Sequence, residues 1–189
     1  MKQAKTLSRQ ELKRVLAVIA AGRNAKRNHT VMMLSFLAGL RAKEIAELTV
    51  GDVYAVDGGV KTVVQLLADQ TKGSRGRTVF VNSKLAKSLR EYRPEVAGRN
   101  ANAPLIKSQK NRAFSANTMC QLMCRIYHNA GIDGASSHSG RRSFITNLAN
   151  KGVSAHLLMK LAGHKNLATT QRYIDVNDKL LSEAAELVG

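Results

Sequence analysis

Three valine-rich segments interrupt a chain whose other parts have the apolar spacing of helices. They span residues 50–56, 60–67 and 77–81, and glycine-containing turns separate them at 57–59 and 72–76. Valine-rich stretches bounded by such turns favour strands, and short connections favour antiparallel pairing. The sequence therefore predicts an α+β fold that is mainly helical, with helices around a small three-stranded antiparallel sheet.

Apolar residues recur at helical spacing on both sides of this segment. Ser8 and Glu11 form a capping-box pattern at the start of the first helix, which Gly22 ends. A strongly apolar helix at 29–38 ends at Gly39 and is expected to be central. Further helices are predicted near residues 42–49, 83–92, 115–130, 139–151, 155–162 and 177–188.

The segment 161–173, LAGHKNLATTQRY, contains one histidine and one tyrosine. Gly163 is typical of a helix end and Asn166 of the N-cap of a new helix. This pattern places His164 at a bend and Tyr173 about two turns into the following helix. A tyrosine at such a position could pack in the core, or it could act as a nucleophile.

The chain carries a large excess of positive charge. Thirty Lys and Arg residues against 13 Asp and Glu residues give a net charge of +17, spread along the chain. A folded domain with this charge favours a polyanionic partner, most often nucleic acid. The alternative is a generally basic, soluble surface.

Two cysteines, Cys120 and Cys124, lie four residues apart in a predicted helix. This spacing suits neighbouring thiols better than a framework disulfide. His128 follows four residues later, so a metal site is conceivable, but buried thiols in a reducing cytosol are the favoured interpretation. We find no membrane-length apolar run and no signal peptide, so a cytoplasmic protein without a membrane partner is expected.

Four separated clusters occur in a characteristic order. They are GLRAKEIAEL with Arg41, TKGSRGR with Lys72, HSGRR with His138 and Arg141, and LAGHKNLATTQRY with His164 and Tyr173. In order and spacing they resemble the motifs of the tyrosine site-specific recombinases, the phage-integrase family. The resemblance extends from about Leu7 to Leu187.

The resemblance implies roles for these residues in phosphodiester chemistry. Tyr173 matches a nucleophile that attacks a DNA phosphodiester to give a 3′-phosphotyrosine and a free 5′ hydroxyl. Its unperturbed pKa is about 10, so it needs a base or a strongly positive site, and His138 matches the position of the base. Lys72 matches the general acid that protonates the leaving 5′ oxygen.

The remaining matched residues would bind the scissile phosphate or orient the site. Arg41 and Arg141 match two arginines that bind its non-bridging oxygens through forked hydrogen bonds. His164 matches a residue that hydrogen-bonds the same phosphate, and Glu44 matches an acidic residue that orients the site. Basic residues near these motifs are candidate DNA contacts: Lys43, Arg75, Arg77, Arg142 and Lys165.

The resemblance also implies partners and surroundings. Double-stranded DNA is the expected partner of a protein that is monomeric without DNA and tetrameric in a DNA synapse. Accessory DNA-bending proteins are further candidates. Neither a metal ion nor ATP is expected, because the phosphotyrosine bond conserves the energy of the cleaved bond. The expected setting is cytoplasmic and nucleoid-associated, for a protein of bacterial, phage or archaeal origin.

The chain departs from the commonest family pattern at two positions and at its start. Gly140 stands where Leu is usual, and Arg142 stands where a second His is frequent. Neither change removes a catalytic group. Residues 1–6 are expected to be disordered and 7–189 to form the catalytic domain, without the helical core-binding domain that family members usually carry.

Two other functions remain open at this point. A type IB topoisomerase-like enzyme would use the same chemistry, and a non-enzymatic DNA-binding or architectural protein could keep the same scaffold. The tail at 177–188 has an apolar stripe of Leu180, Ala184, Leu187 and Val188. This stripe is expected to pack either on its own domain or on a neighbouring protomer.

Overall fold

The computed structural model describes residues 3–68 and 76–174, together with Ser182, Ala185 and Glu186. The described helices are, in chain order, α1 (Arg9–Ala20), α2 (Ala25–Ala38), α3 (Ala42–Glu47), α4 (Val50–Val53), α5 (Ser83–Tyr92), α6 (Ala116–Asn129), α7 (Ser139–Ala149), α8 (Ala155–Ala162) and α9 (Leu167–Gln171). A 3₁₀ turn, Arg93–Val96, follows α5. Strands β1 (Val63–Leu66) and β2 (Arg77–Phe80) pair antiparallel. The fold is therefore mainly helical with a small antiparallel sheet, as predicted.

The prediction of three strands was wrong, because the sheet has two strands in the described part of the chain. Val50–Val53 form α4, which Thr49 caps. The Asp52 N–H donates to the Thr49 hydroxyl, and the Thr49 N–H donates to the Asp52 carboxylate at 2.8 Å. This local capping box outweighs the strand preference of valine. The strands predicted at 50–56 and 60–67 were expected to pair. The structure has only one isolated bridge between these described segments, from Tyr54 to Val60.

Helix α2 lies at the centre of the molecule, as its apolar sequence predicted. It packs against α1, α5 and α7, while α3 packs against α6. Seven consecutive residues of α2, from Thr30 to Phe36, are buried. Burial of each large aliphatic side chain contributes about 1.5–3 kcal/mol, so this helix provides much of the core.

Two glycines end the helices that lead to the site. Gly39 after α2 and Gly163 after α8 both have φ of 62°, the left-handed region that favours glycine. A Cβ at position 39 would lie 2.5 Å from the Phe144 ring, and one at position 163 would lie 2.5 Å from Cδ of Arg77. The glycines therefore let the end of α2 approach α7 and the end of α8 approach β2.

The segment before α1 is tied to the helical domain. The Leu7 N–H donates to the Ser143 hydroxyl at 2.9 Å, and Lys5 forms an ion pair with Glu11 at 2.6 Å. The Ser8–Glu11 capping box is confirmed. The domain boundaries, 1–6 and 7–189, stay a prediction.

Two further expectations are corrected or left aside. Cys120 is half-buried and Cys124 is exposed, so the expectation of buried thiols was wrong. Both cysteines are free and lie in α6. The predicted position of that helix is confirmed. The predicted tail helix at 177–188 lies outside the described residues, apart from the three exposed positions 182, 185 and 186. Among the residues that the structure describes, no helix has the length and apolar character needed to cross a membrane.

Candidate active site

Arg41 and Glu44 form the first part of the site at the start of α3. Glu44 is fully buried, and its two carboxylate oxygens accept hydrogen bonds from the Arg41 N–H at 2.8 Å and from Arg41 Nη1 at 2.7 Å. Burial alone would raise the pKa of Glu44, but the hydrogen bonds and charges of Arg77 and Arg41 lower it overall. Glu44 is therefore ionised at neutral pH and holds the Arg41 guanidinium in place.

Arg77, at the start of β2, completes a second ion pair with the same carboxylate. Its Nη2 lies 2.8 Å from Glu44 Oε2, and its side chain is 7% exposed. Its Nη1 donates to the Leu161 carbonyl at 2.8 Å, near the end of α8. The sequence nominated Arg77 only as a DNA-contact candidate, whereas the structure places its guanidinium inside the protein, between β2, α3 and α8.

Arg141 lies in the first turn of α7 and is 4% exposed. Its Nη1 donates to the Gly39 carbonyl at 2.6 Å, and its Nη2 donates to the Ala162 carbonyl. Burial lowers the pKa of Arg141 to about 9, and repulsion by Arg41 and Arg77 adds to this effect. Arg141 nevertheless stays protonated at neutral pH. The site therefore contains three positively charged guanidiniums, those of Arg41, Arg77 and Arg141, and one carboxylate, that of Glu44. Such a net positive cluster favours an anion.

His164 follows Gly163 and stacks on Tyr173. The two ring centroids are 5.7 Å apart and the ring planes differ by 25°. Burial lowers the pKa of His164 to about 4, and the charges of Arg141, Arg41 and Arg77 act in the same direction. His164 is therefore a neutral imidazole at neutral pH.

Tyr173 lies just beyond α9. The prediction that it lies about two turns into that helix was wrong, because α9 ends at Gln171. Adjacent threonines at 169 and 170 have low helix propensity, and the Asn166 side chain makes no capping hydrogen bond. The Tyr173 N–H donates to the Thr170 carbonyl at 2.9 Å, which keeps the phenol ring close to the helix end.

The flanking basic residue Arg142 covers the Tyr173 ring. Its guanidinium carbon lies 5.2 Å from the ring centroid, and its Nε donates to the Thr6 hydroxyl at 3.1 Å. A guanidinium over an aromatic face is attractive. Arg142 was nominated as a DNA contact, and its packing against Tyr173 was missed.

The other nominated residues have varied positions. His138 is exposed at the N-cap of α7, three residues before Arg141. Lys165 is exposed beside His164, and Lys43 is half-buried with its Nζ 3.7 Å from Glu47. Lys72 and Arg75 lie outside the described residues.

An open cavity of about 510 Å³ lies against this cluster. Its wall combines β2 with the end of α8 and the following bend. The lining residues include Arg41, Arg77, His164 and Lys165, and also the exposed apolar side chains of Phe80 and Leu157. Arg41, Arg77 and Lys165 make this wall of the cavity positively charged.

Thr170 is a site residue that sequence reasoning missed. It is fully buried, and its Oγ1 lies 2.9 Å from His164 Nδ1. The signal available in the sequence was a polar residue about one turn before Tyr173. That signal does not distinguish Thr170 from Thr169, which is exposed; only the geometry of α9 does so.

Comparisons with known proteins assign this chain to a family. A model described as the phage integrase family matches residues 5–179. The tyrosine recombinase XerA of Thermococcus kodakarensis is 33% identical over 184 residues, which cover 96% of this chain and 62% of that protein. The tyrosine recombinase XerC of Pelobacter propionicus is 25% identical over 157 residues, covering 82% of this chain and 50% of that protein. The chain thus spans about three fifths or less of the length of these curated relatives.

Solved structures share the fold. A crystal structure of XerA recombinase superposes with a TM-score of 0.75 at 22% identity, covering 98% of this chain and 66% of that one. The Tn1549 transposon integrase in complex with a circular intermediate DNA gives a TM-score of 0.80 at 18% identity, with 98% and 66% covered. The family model confirms the resemblance inferred from the motifs. The chain belongs to the phage integrase family.

Proposed function

We propose that this protein is a site-specific DNA recombinase or integrase that cleaves and rejoins strands through a 3′-phosphotyrosine, leaving a free 5′ hydroxyl. The observation that carries this proposal is the stack of Tyr173 on His164, beside the buried guanidinium of Arg141. Relatives named tyrosine recombinases support it, as do fold neighbours whose structures contain DNA.

Arg41 and Arg141 bind the two non-bridging oxygens of the scissile phosphate. A guanidinium carries five N–H donors, so the carbonyl bonds of Arg141 fix its plane and leave further donors for a phosphate. Glu44 holds Arg41 in the same way. Because both guanidiniums are held before the substrate arrives, they stabilise the charge that develops on these oxygens without reorganising.

Cleavage then transfers the phosphoryl group from the DNA 5′ oxygen to the tyrosine. The Tyr173 oxygen forms a bond to phosphorus while the bond to the 5′ oxygen breaks. His138 accepts the phenol proton, and Lys72 donates a proton to the leaving 5′ oxygen. Rejoining reverses these steps with a 5′ hydroxyl from the partner strand, so the scheme requires neither ATP nor a metal ion.

Double-stranded DNA is the proposed partner, bound by a monomer that assembles into a tetramer in a synapse. Lys43, Arg75 and Lys165 are proposed phosphate contacts. The high net charge of +17 supports this electrostatic binding. Accessory DNA-bending proteins and a position at the nucleoid belong to the same proposal.

The experiment that tests this function uses a library of random duplexes in which one strand is labelled at its 5′ end and carries a central nick, so that cleavage a few bases 5′ of the nick releases a short fragment. The short 5′-hydroxyl fragment diffuses away after cleavage, so a covalent complex accumulates and can be isolated on denaturing gels. Sequencing of the trapped strands then reports the preferred site. Absence of adduct across the library contradicts the proposal.

A second assay separates recombination from topoisomerase activity. A recombinase joins the trapped site to a second copy of that site on another duplex. A topoisomerase instead relaxes supercoiled plasmid progressively, without requiring that site. Strand exchange that depends on the site is the expected result.

A further inference from the structure

The hydrogen bond between His164 and Thr170 joins a catalytic candidate to a residue that no motif assigns. Thr170 is fully buried on α9, and its Oγ1 lies 2.9 Å from His164 Nδ1. The other ring nitrogen, Nε2, is the one left for a ligand, because Nδ1 is already bonded. His164 also lines the cavity beside Arg41 and Arg77.

The direction of this hydrogen bond follows from the surroundings. A neutral imidazole has one N–H, and His164 is neutral because burial and then three nearby guanidiniums lower its pKa to about 4. Among the described residues, His164 is the one hydrogen-bond partner of the Thr170 hydroxyl. If that hydroxyl accepted a hydrogen bond from Nδ1–H, its own buried O–H would lack an acceptor, which costs about 1–3 kcal/mol. Donation from Thr170 to Nδ1 satisfies both groups.

We propose that Thr170 is a positioning residue whose hydroxyl donates to Nδ1 and thereby holds His164 as the tautomer with a proton on Nε2. That tautomer presents an N–H donor to a non-bridging phosphate oxygen. The opposite tautomer would present a lone pair to the anion, which repels it. This inference rests on the proposed function for its consequence in catalysis, but the tautomer itself is a property of the protein without DNA.

The first test measures the tautomer directly. Long-range ¹H–¹⁵N NMR spectra of the DNA-free protein at pH 7 distinguish a protonated ring nitrogen from an unprotonated one, and His164→Gln identifies the signals. The expected result is an unprotonated Nδ1 and a protonated Nε2 at His164. A protonated Nδ1 overturns the proposal, whether or not the protein forms an adduct with DNA.

The second test uses a matched pair of variants. Thr170→Val keeps the shape of the side chain but removes the hydroxyl, whereas Thr170→Ser keeps the hydroxyl. The Val variant should show mixed tautomers and form adduct roughly tenfold more slowly with unchanged DNA affinity, a smaller loss than the 10²–10³ of a direct donor. The Ser variant should stay within about threefold of wild type.

Other outcomes of the second test overturn the proposal. They are a Val variant that keeps both the wild-type tautomer and rate, or a Ser variant as slow as the Val variant. If Thr170→Val fails to fold, the tautomer in the wild-type protein still decides the question. If no adduct forms with any variant, the function fails while the tautomer measurement stands.

Discussion

Glu44 and Arg77 form a buried two-point ion pair between α3 and β2. Arg77 Nη2 lies 2.8 Å from Oε2, and Nε lies 3.4 Å from Oε1. The same carboxylate holds Arg41, so the position of β2 is linked to the position of a proposed phosphate-binding guanidinium. β2 begins five residues after Lys72 in the sequence, so the pair fixes the strand that follows this proposed general acid.

Replacement of Arg77 by Met should destabilise the fold strongly. Removal of one partner from a buried pair costs about 3–5 kcal/mol, and we expect a value near the lower end because Arg41 remains beside Glu44. For a chain of this size the melting temperature should fall by about 6–12 °C. Calorimetry measures the change.

The matched control is Lys160→Met, since Lys160 is an exposed cation lining the same cavity. That variant should change stability by less than about 0.5 kcal/mol. Arg77→Lys keeps the positive charge but loses the two-point geometry of the guanidinium. Its loss of stability should lie between those of Arg77→Met and Lys160→Met. Equal melting temperatures for Arg77→Met and Lys160→Met would show that the ion pair contributes nothing.

Gly140 permits close packing of α7 on α2. A Cβ at this position would lie 2.3 Å from the Ser35 Oγ and 2.9 Å from its Cβ. Gly140→Ala should therefore destabilise the protein by about 1–2 kcal/mol, although alanine is the better helix former. Gly140→Leu, which restores the usual family residue, should be worse.

The neighbouring Ser35 allows a double-mutant cycle. Its buried hydroxyl finds no hydrogen-bond partner among the described residues, so Ser35→Ala should be neutral or stabilising. The cost of Gly140→Ala should be smaller in the Ser35→Ala background, because the closest contact is gone. Strictly additive unfolding free energies would contradict the proposed contact.

Local signals in the sequence were enough to predict most helices and the glycine that ends α8. The helix predicted near 83–92 is Ser83–Tyr92 in the structure, where the Asn82 side chain caps its start. The error at Val50–Val53 was avoidable, since the pattern T-x-x-D marks a helix start. Valine content alone favoured the wrong element.

The remaining features depend on contacts that no local pattern encodes. Arg77 and Glu44 are 33 residues apart, and Gly140 and Ser35 are 105 apart in number, so their pairing is a result of packing. The motifs predicted that Arg41, Arg141, His164 and Tyr173 belong together. They did not predict that Arg141 would donate hydrogen bonds to two carbonyls at helix ends, nor that Thr170 would contact His164.

Protonation of His164 should make the fold less stable in mild acid. The pKa of His164 is lowered from 6.5 to about 4 by burial and nearby arginines, so the unfolded chain binds a proton that the folded protein does not. Stability is fully present above pH 6.5 and falls as the pH drops towards 4. Chemical denaturation across this range measures the slope.

His164→Gln should flatten that slope, whereas His156→Gln, an exposed position on α8, should not. Burial also lowers the pKa of His29, which acts in the same direction in all three proteins. The pKa of Glu44 is lowered, so its contribution to stability is lost only below the ordinary glutamate pKa of 4.5. An unchanged slope in His164→Gln would refute the neutral state of this half-buried imidazole.

DNA binding should be dominated by phosphate contacts and hence depend steeply on salt. Each neutralised phosphate contributes about 0.9 to the slope of log affinity against log salt concentration. Lys165→Ala should reduce the slope by about that amount, as measured by fluorescence anisotropy with a duplex of arbitrary sequence. Lys87→Ala, on α5 and outside the cavity lining, should leave the slope unchanged. Equal slopes for the wild type and Lys165→Ala would remove Lys165 from the interface.

Covalent trapping on the nicked duplex library is the most direct test of Tyr173 as the nucleophile. Tyr173→Phe removes one oxygen from an aromatic ring stacked on His164, so binding should persist. Tyr127→Phe makes the same change at a buried tyrosine on α6 and serves as the control. The wild type and Tyr127→Phe should give a DNA adduct on denaturing gels, and Tyr173→Phe should give none while binding the same duplexes. An adduct with Tyr173→Phe would contradict the central claim.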